Sequence, residues 1–248
     1  MLRRAATVLA IVCAAALLSG CSMIEGLARD ATGRDSAAPA EACLPRGAEP
    51  DPSPTPAPTL DPHVAGEVRE AVAAVRKLAG VDTVSERTSN SRTASDDPNR
   101  PDCRIVSNHF SSQVDVVMEA EATPAQAAAV PTTMAQHLAW TGVSLSLTVP
   151  AAPGHIETTV HYSRTFGQTI PTETSTDVAE GLARLAATPH VTSLEASIPY
   201  TMRVDYGSLT VLVDGADRAT LDAVRAVIDT TVFADTTLHG SFSNGAKP

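Results

Sequence analysis

Cysteine thiols are the side chains of this 248-residue chain whose placement points most directly to chemistry. Cys13 and Cys21 lie in its first 21 residues, and Cys43 and Cys103 follow at wide spacing. A structural zinc site needs further Cys or His ligands a few residues away, and neither Cys43 nor Cys103 has them. We therefore predict no metal and no cofactor, and interpret these thiols as sites of covalent modification or cross-linking.

The segment before Cys21 has the layout of an export signal. Arg3 and Arg4 precede residues 5–18, which carry no charge, and the small residues Ser19 and Gly20 follow. As a helix this run would be about 21 Å long, whereas the hydrocarbon core of a bilayer is about 30 Å thick. A retained transmembrane helix is therefore disfavoured.

The tetrapeptide Leu18-Ser19-Gly20-Cys21 resembles the lipobox of bacterial lipoprotein precursors. The resemblance implies that the Cys21 thiol receives a diacylglycerol and that cleavage occurs just before Cys21. The protein would then be exported and anchored by lipid to the outer face of the cell membrane, or to the outer membrane if the host has one. An ordinary secretory signal with an incidental cysteine is the alternative.

The charge of the chain argues against a nucleic-acid partner. Removal of residues 1–20 takes away two arginines and no acid, so the formal charge goes from −10 to −12. An acidic protein cannot neutralise phosphates and gains nothing from an anionic leaflet. The predicted partners are the membrane, through the Cys21 lipid, and an envelope protein.

The two remaining cysteines, Cys43 and Cys103, form an even pair in an oxidising compartment. Such pairs most often form a disulfide, so we predict a Cys43–Cys103 bond. Two free thiols are the alternative. The bond would fasten the middle of the predicted stalk to the folded region and shorten the free tether.

The chain divides into four segments by composition. Residues 1–20 are the signal peptide, and residues 21–60 form a linker in which seven prolines favour extended polyproline II. Residues 61–165 and 166–248 are predicted to form a first and a second α+β half.

Hydrophobic periodicity predicts the elements of both halves. In the first half we expect a helix from Asp61, a strand at 81–87, a polar loop at 88–101, a strand at 114–120, a helix from Thr123 and strands at 143–149 and 156–162. In the second half we expect a helix at 175–187, a strand at 191–198, a hairpin at 200–213, a helix capped by Asp214 and a strand at 236–242.

This order predicts an α+β fold of two tandem αββαβ halves, with helices on one face of small, mostly antiparallel sheets. Each half resembles the BON modules of bacterial envelope proteins in element order alone, and no residue signature can be carried over. If residues 156–162 join the second half, its order becomes βαββαβ, which is ferredoxin-like. The similar halves also suggest an internal duplication.

The search for catalytic residues gives a negative result. The nucleophile elbow, zinc-protease and phosphate-loop motifs are absent from the sequence. We interpret His155 and His161 as surface histidines, Glu119 and Glu121 as solvent-facing acids, and Trp140 as part of the core. The acidic cluster at 96–102 lacks the glycine of a calcium loop.

The sequence therefore predicts a membrane-anchored exported lipoprotein that is not an enzyme and acts as a binding or assembly module of the envelope. The alternatives are an envelope hydrolase whose site assembles from distant residues, and a solute-binding lipoprotein.

Overall fold

The protein has an α+β architecture with four helices and one eight-stranded sheet in the part described by the computed structural model: residues 44–45, 47–50, 57–167, 169–199, 201–215 and 217–242. The strands are β1 Leu44–Pro45, β2 Val81–Asp97, β3 Arg100–Met118, β4 Val143–Val149, β5 Thr158–Ser163, β6 Val191–Ile198, β7 Ser208–Val213 and β8 Thr237–Gly240. The helices are α1 Pro62–Val75, α2 Pro124–His137, α3 Thr172–Ala186 and α4 Arg218–Ile228.

The starts of the first two helices follow from their capping residues. Asp61 caps α1 by accepting hydrogen bonds from the backbone N–H groups of His63 and Val64, with proline at the first helical position. Thr123 and Gln126 form the capping box of α2. These predictions are confirmed.

The sheet is continuous, with β2 to β8 lying in chain order. Antiparallel pairs (β2/β3, β4/β5, β6/β7) alternate with parallel pairs (β3/β4, β5/β6, β7/β8). Each parallel pair is joined through a helix, because parallel strands need a long crossover. One sheet of alternating pairs thus replaces the small, mostly antiparallel sheets expected from the sequence.

The core lies between the sheet and the layer of helices. Along the central strands every second side chain is buried, as in Val114, Val116 and Met118 of β3. The same core includes residues from all four helices and the predicted core residue Trp140. The opposite face of the sheet is half-buried to exposed and rich in hydroxyls: Ser144, Ser146, Thr148, Thr159, Ser197 and Thr210.

The expected polar loop at 88–101 is wrong, because this segment forms a long hairpin arm (residues 87–111) from β2 and β3. Its strands are held together by polar cross-strand contacts between side chains. Ser89 and Ser111 hydroxyls lie 3.0 Å apart, and the Asn90 amide donates to Asn108 Oδ1 at 2.9 Å. The apolar alternation typical of strands is absent because most of the side chains of β2 in the arm are exposed.

The tip of the hairpin arm is a tight turn at Asp97 and Arg100. Asp97 Oδ1 accepts a hydrogen bond from the Asn99 backbone N–H at 2.9 Å, and Oδ2 accepts one from Arg100 Nε at 2.7 Å. These bonds hold the pKa of the Asp97 carboxyl below its ordinary value, the backbone bond from Asn99 being the larger cause. The predicted acidic cluster is therefore part of a turn.

Two expectations for the C-terminal part are also wrong. The hairpin expected at 200–213 does not form: β7 pairs with β6, and a short 3-10 helix, Val204–Tyr206, precedes it. The last helix is capped by Asp217, whose carboxylate accepts from the Thr220 N–H, and not by Asp214. Asp214 instead lies 2.8 Å from His190 Nδ1.

Within the described part of the chain, every helix is too short or too polar to cross a bilayer.

Candidate functional site: a cavity between two helices

The sequence-predicted site residues are mostly beyond the described part. Cys21 and Cys43 lie outside the described residues, as does the apolar run before Cys21. Cys103 lies on β3, where β1 pairs Pro45 with it and Leu44 with Arg104. Cys103 is disulfide-bonded, and its pairing with Cys43 stays a prediction.

The described histidines and acids do not gather into a metal site; groups of three or more potential ligands do not occur there. His161 lies on the open face of the sheet, with Nε2 3.2 Å from a carboxylate oxygen of Glu195. Tyr206 is 64% exposed and stacks under the Arg203 guanidinium, 4.0 Å from the ring centroid. These contacts belong to the surface.

A cavity of about 450 Å³ lies on the helix side of the sheet. It lies between α2 and α3, above β4 and β5. This volume falls within the range of small-molecule sites in proteins. We refer to it as the α2/α3 cavity.

Small side chains create the α2/α3 cavity. Ala179, Ala183 and Ala186 of α3 line it from one side and Ala127 of α2 from the other. Residues four and three apart share a helix face, so the three alanines form one stripe. A stripe of alanines leaves space that larger residues would fill, and larger apolar residues close the floor and sides: Leu147, Val149, Val160, Val178 and Leu182.

The α2/α3 cavity runs along β5 and α3. Thr158 and Tyr162 of β5 line it four residues apart, which spans about 13 Å in a strand. Val178 and Ala187 bracket a similar length, about 13 Å, along the helix. Five of the six exposed lining residues lie at the Thr158 end, which is therefore the mouth: Glu121, Thr123, Pro153, Gly154 and Ala187. The sixth, Ala183, lies one turn further along α3.

Tyr162 is the unusual polar group of the interior. It is only 1% exposed, and its hydroxyl makes no hydrogen bond within the described part of the chain. Burial raises the pKa of the Tyr162 hydroxyl far above its ordinary value, with no other cause. Buried polar groups normally have a partner. The hydroxyls of Thr165 and Ser175 are also buried without one among the described residues, but those residues do not line the cavity, whereas Tyr162 and Thr158 do.

His155 closes the mouth of the α2/α3 cavity. Its Nδ1 lies 3.0 Å from the Ile156 carbonyl oxygen and its Nε2 lies 3.1 Å from the Ala120 carbonyl oxygen. Both neighbours are acceptors, and the tautomer decides which ring nitrogen donates. The contact with Ala120 links the β4–β5 turn to the segment before α2.

The sequence analysis missed this site, although it placed several of the lining residues correctly. Thr158, Val160 and Tyr162 were expected to alternate on one strand face, and they do. Two features of the sequence could have indicated the cavity: hydroxyl-bearing residues on an otherwise apolar strand face, and alanines repeated along α3. His155, expected as a surface histidine, is half-buried and bonded at the mouth.

Comparison of the chain with models of protein families, with curated proteins and with solved structures found no match in any of the three.

Proposed function

We propose that the protein is an exported lipoprotein, held at the outer face of the cell membrane by lipid on Cys21, whose α+β region acts by binding and not by catalysis. The anchoring part rests on Leu18-Ser19-Gly20-Cys21 behind a basic start and an uncharged run. Two or more acyl chains give stable anchoring, so an acidic surface needs no further membrane contact.

The binding part of the proposal rests on one observation, the apolar character of the α2/α3 cavity. Its ionisable lining residues are Glu121, His155 and Tyr162. Both ring nitrogens of His155 lie within hydrogen-bond distance of backbone carbonyl oxygens, and the described lining of the cavity contains no Ser or Cys. A hydrolase would need a nucleophile within reach of a free base, and the cavity supports the solute-binding alternative better than the hydrolase.

The tandem-halves interpretation also stays a proposal. The units α1-β2-β3-α2-β4 and α3-β6-β7-α4-β8 have the same element order. In each unit the first two strands are antiparallel and the last two are parallel. These shared pairings support a duplication of a BON-like αββαβ unit, with β5 joining the two copies inside one sheet.

The stalk would be fastened to the hairpin arm by a Cys43–Cys103 disulfide. The pairing of β1 with β3 brings the residues that follow Cys43 alongside β3 near Cys103, with Pro45 opposite Cys103 and Leu44 opposite Arg104. A disulfide at Cys103 would connect the lipid-anchored stalk to the folded domain through the hairpin arm, and not through residues 46–60.

Replacement of the modified cysteine tests the proposed function. The Cys21→Ser variant cannot accept the lipid, so it should leave the membrane fraction after cell disruption and ultracentrifugation. Cys13→Ser is the matched control, because it changes a cysteine of the apolar run and leaves the tetrapeptide intact. Retention of Cys21→Ser in the membrane to the same extent as Cys13→Ser would refute the anchor.

A further inference from the structure

The α2/α3 cavity has the size, lining and polar group of a site for one acyl chain, and we infer that it binds the chain of an uncharged amphiphile whose oxygen acceptor meets the Tyr162 hydroxyl. The inference deepens the proposed binding function by naming the class of ligand. It does not depend on the lipid at Cys21.

The length of the cavity matches a single acyl chain. The lining extends about 13 Å from Thr158 to Tyr162. One leaflet contributes half of a hydrocarbon core about 30 Å thick, so a lipid chain occupies a similar length in the membrane. The branched side chains that surround this length are apolar: Leu147, Val149, Val160, Val178 and Leu182.

The lining favours an aliphatic ligand over a flat aromatic one. Tyr162 is the single aromatic residue among the side chains that line the cavity. Stacking of a planar ring needs an aromatic face or an Arg guanidinium against it. The opposing α2 and α3 surfaces instead offer alanines and branched aliphatic residues, such as Ala127, Ala179 and Leu182.

The interior also favours an uncharged ligand. Glu121, the one described lining residue that is an acid, is exposed at the mouth, and the described lining contains no Lys or Arg. A carboxylate moved past the mouth would lose its water without gaining a cationic partner, which is strongly unfavourable. An ester carbonyl or an alcohol oxygen carries no such cost.

The Tyr162 hydroxyl supplies the specific contact. It is a donor with no partner among the described residues, and it borders apolar space large enough for a ligand. An acceptor oxygen on the ligand would complete its hydrogen bond. A hydrocarbon chain without oxygen would fill the same space but leave the hydroxyl unpaired.

The test uses the full chain carrying Cys21→Ser, so that no attached lipid competes, and follows binding by NMR titration. The probes are methyl decanoate, 1-undecene as a chain of similar length without oxygen, and decanoate at pH 8. Methyl decanoate should bind. In the same background Tyr162→Phe should weaken the binding of methyl decanoate by about two- to tenfold, the range of one hydrogen bond, and leave the binding of 1-undecene unchanged.

Two further substitutions test the position of the ligand. Ala179→Leu adds three carbons to the lining and should weaken the binding of both methyl decanoate and 1-undecene. Ala226→Leu is the matched control, because it makes the same change at an exposed position of α4 outside the cavity, and should alter neither. Circular dichroism and the midpoint of thermal unfolding show whether each variant is folded.

Three results would overturn the inference: no binding of methyl decanoate, equal weakening of both chains by Tyr162→Phe, or decanoate binding more tightly than its methyl ester. Decanoyl lysophosphatidylcholine separates free esters from membrane lipids and should not bind, because its ester could meet Tyr162 only by carrying the charged headgroup into the apolar interior; binding of it would contradict the position given to the ester. Membrane release of Cys21→Ser is measured separately, so failure of the anchor and failure of the cavity are distinguishable.

Discussion

Replacement of Tyr162 by Phe removes one oxygen and keeps the ring that packs in the core. The side chain is 1% exposed, and burial alone shifts the pKa of its hydroxyl, which has no hydrogen-bond partner in the described part of the chain. The substitution therefore removes a desolvation cost without removing a bond. We expect Tyr162→Phe to be at least as stable as the parent protein.

The magnitude at neutral pH follows from the cost of an unpartnered hydroxyl. Burial of such a group costs about 1–3 kcal/mol in mutational data. Part of that cost is absent where the hydroxyl borders the cavity, so we expect the free energy of unfolding to rise by about 1 kcal/mol. For a chain of this size that is a rise of about 2–4 °C in the midpoint of thermal unfolding.

The pH dependence of the free energy of unfolding gives a second and more specific prediction. A tyrosine in the unfolded chain ionises near pH 10, whereas the folded state holds the Tyr162 proton to a higher pH. Below pH 10 both states keep the proton, and above it the unfolded state binds fewer protons, so stability falls as pH rises. At pH 11 the parent should have lost on the order of 1 kcal/mol through this residue alone, and Tyr162→Phe should not.

Urea denaturation of the Cys21→Ser chain with and without Tyr162→Phe measures both effects, at pH 8 and at pH 11. The stability advantage of the Phe variant over the parent should be larger at pH 11 than at pH 8. Because the two proteins are compared at each pH, the titration of every other group cancels. A Phe variant at least 1 kcal/mol less stable than the parent at pH 8 would show that the hydroxyl has a partner. A stability difference that does not change with pH would contradict its burial.

Three other predictions address the cavity wall, the arm and the disulfide. Leu182→Ala should lower the free energy of unfolding by about 2–5 kcal/mol because Leu182 is 4% exposed, whereas Leu212→Ala, at a residue 45% exposed, should change it far less in the same urea experiment. Asp97→Ala should speed amide hydrogen exchange in the arm but not in the central strands, because it removes both side-chain bonds of the turn, and unchanged exchange would contradict their role. Non-reducing peptide mapping should recover Cys43 joined to Cys103, and two alkylated thiols in native protein would exclude the bond.

The helix starts and the central strands were predictable because their signals are local. A cap such as Asp61 or Thr123 marks a helix start within one turn, and the alternation of β4 and β5 marks one buried face. The continuity of the sheet was not predictable, since it depends on which strand each helix returns to. That information lies in packing between distant segments.

The hairpin arm and the cavity were missed for opposite physical reasons. Most side chains of β2 in the arm are exposed, so the sequence of the arm has no apolar period. Its polar residues are typical of a loop. The cavity depends on what small residues leave unfilled, and Ala179 and Ala186 fit a packed helix face equally well in the sequence. The unpaired state of Tyr162 is likewise visible only when its surroundings are known.

The first residue of the mature protein tests the central claim most directly. The account predicts that protein extracted from membranes begins at Cys21, and that mass spectrometry of its first peptide shows a diacylglycerol on that cysteine. A first peptide that begins elsewhere, or one with an unmodified Cys21 thiol, would contradict the account.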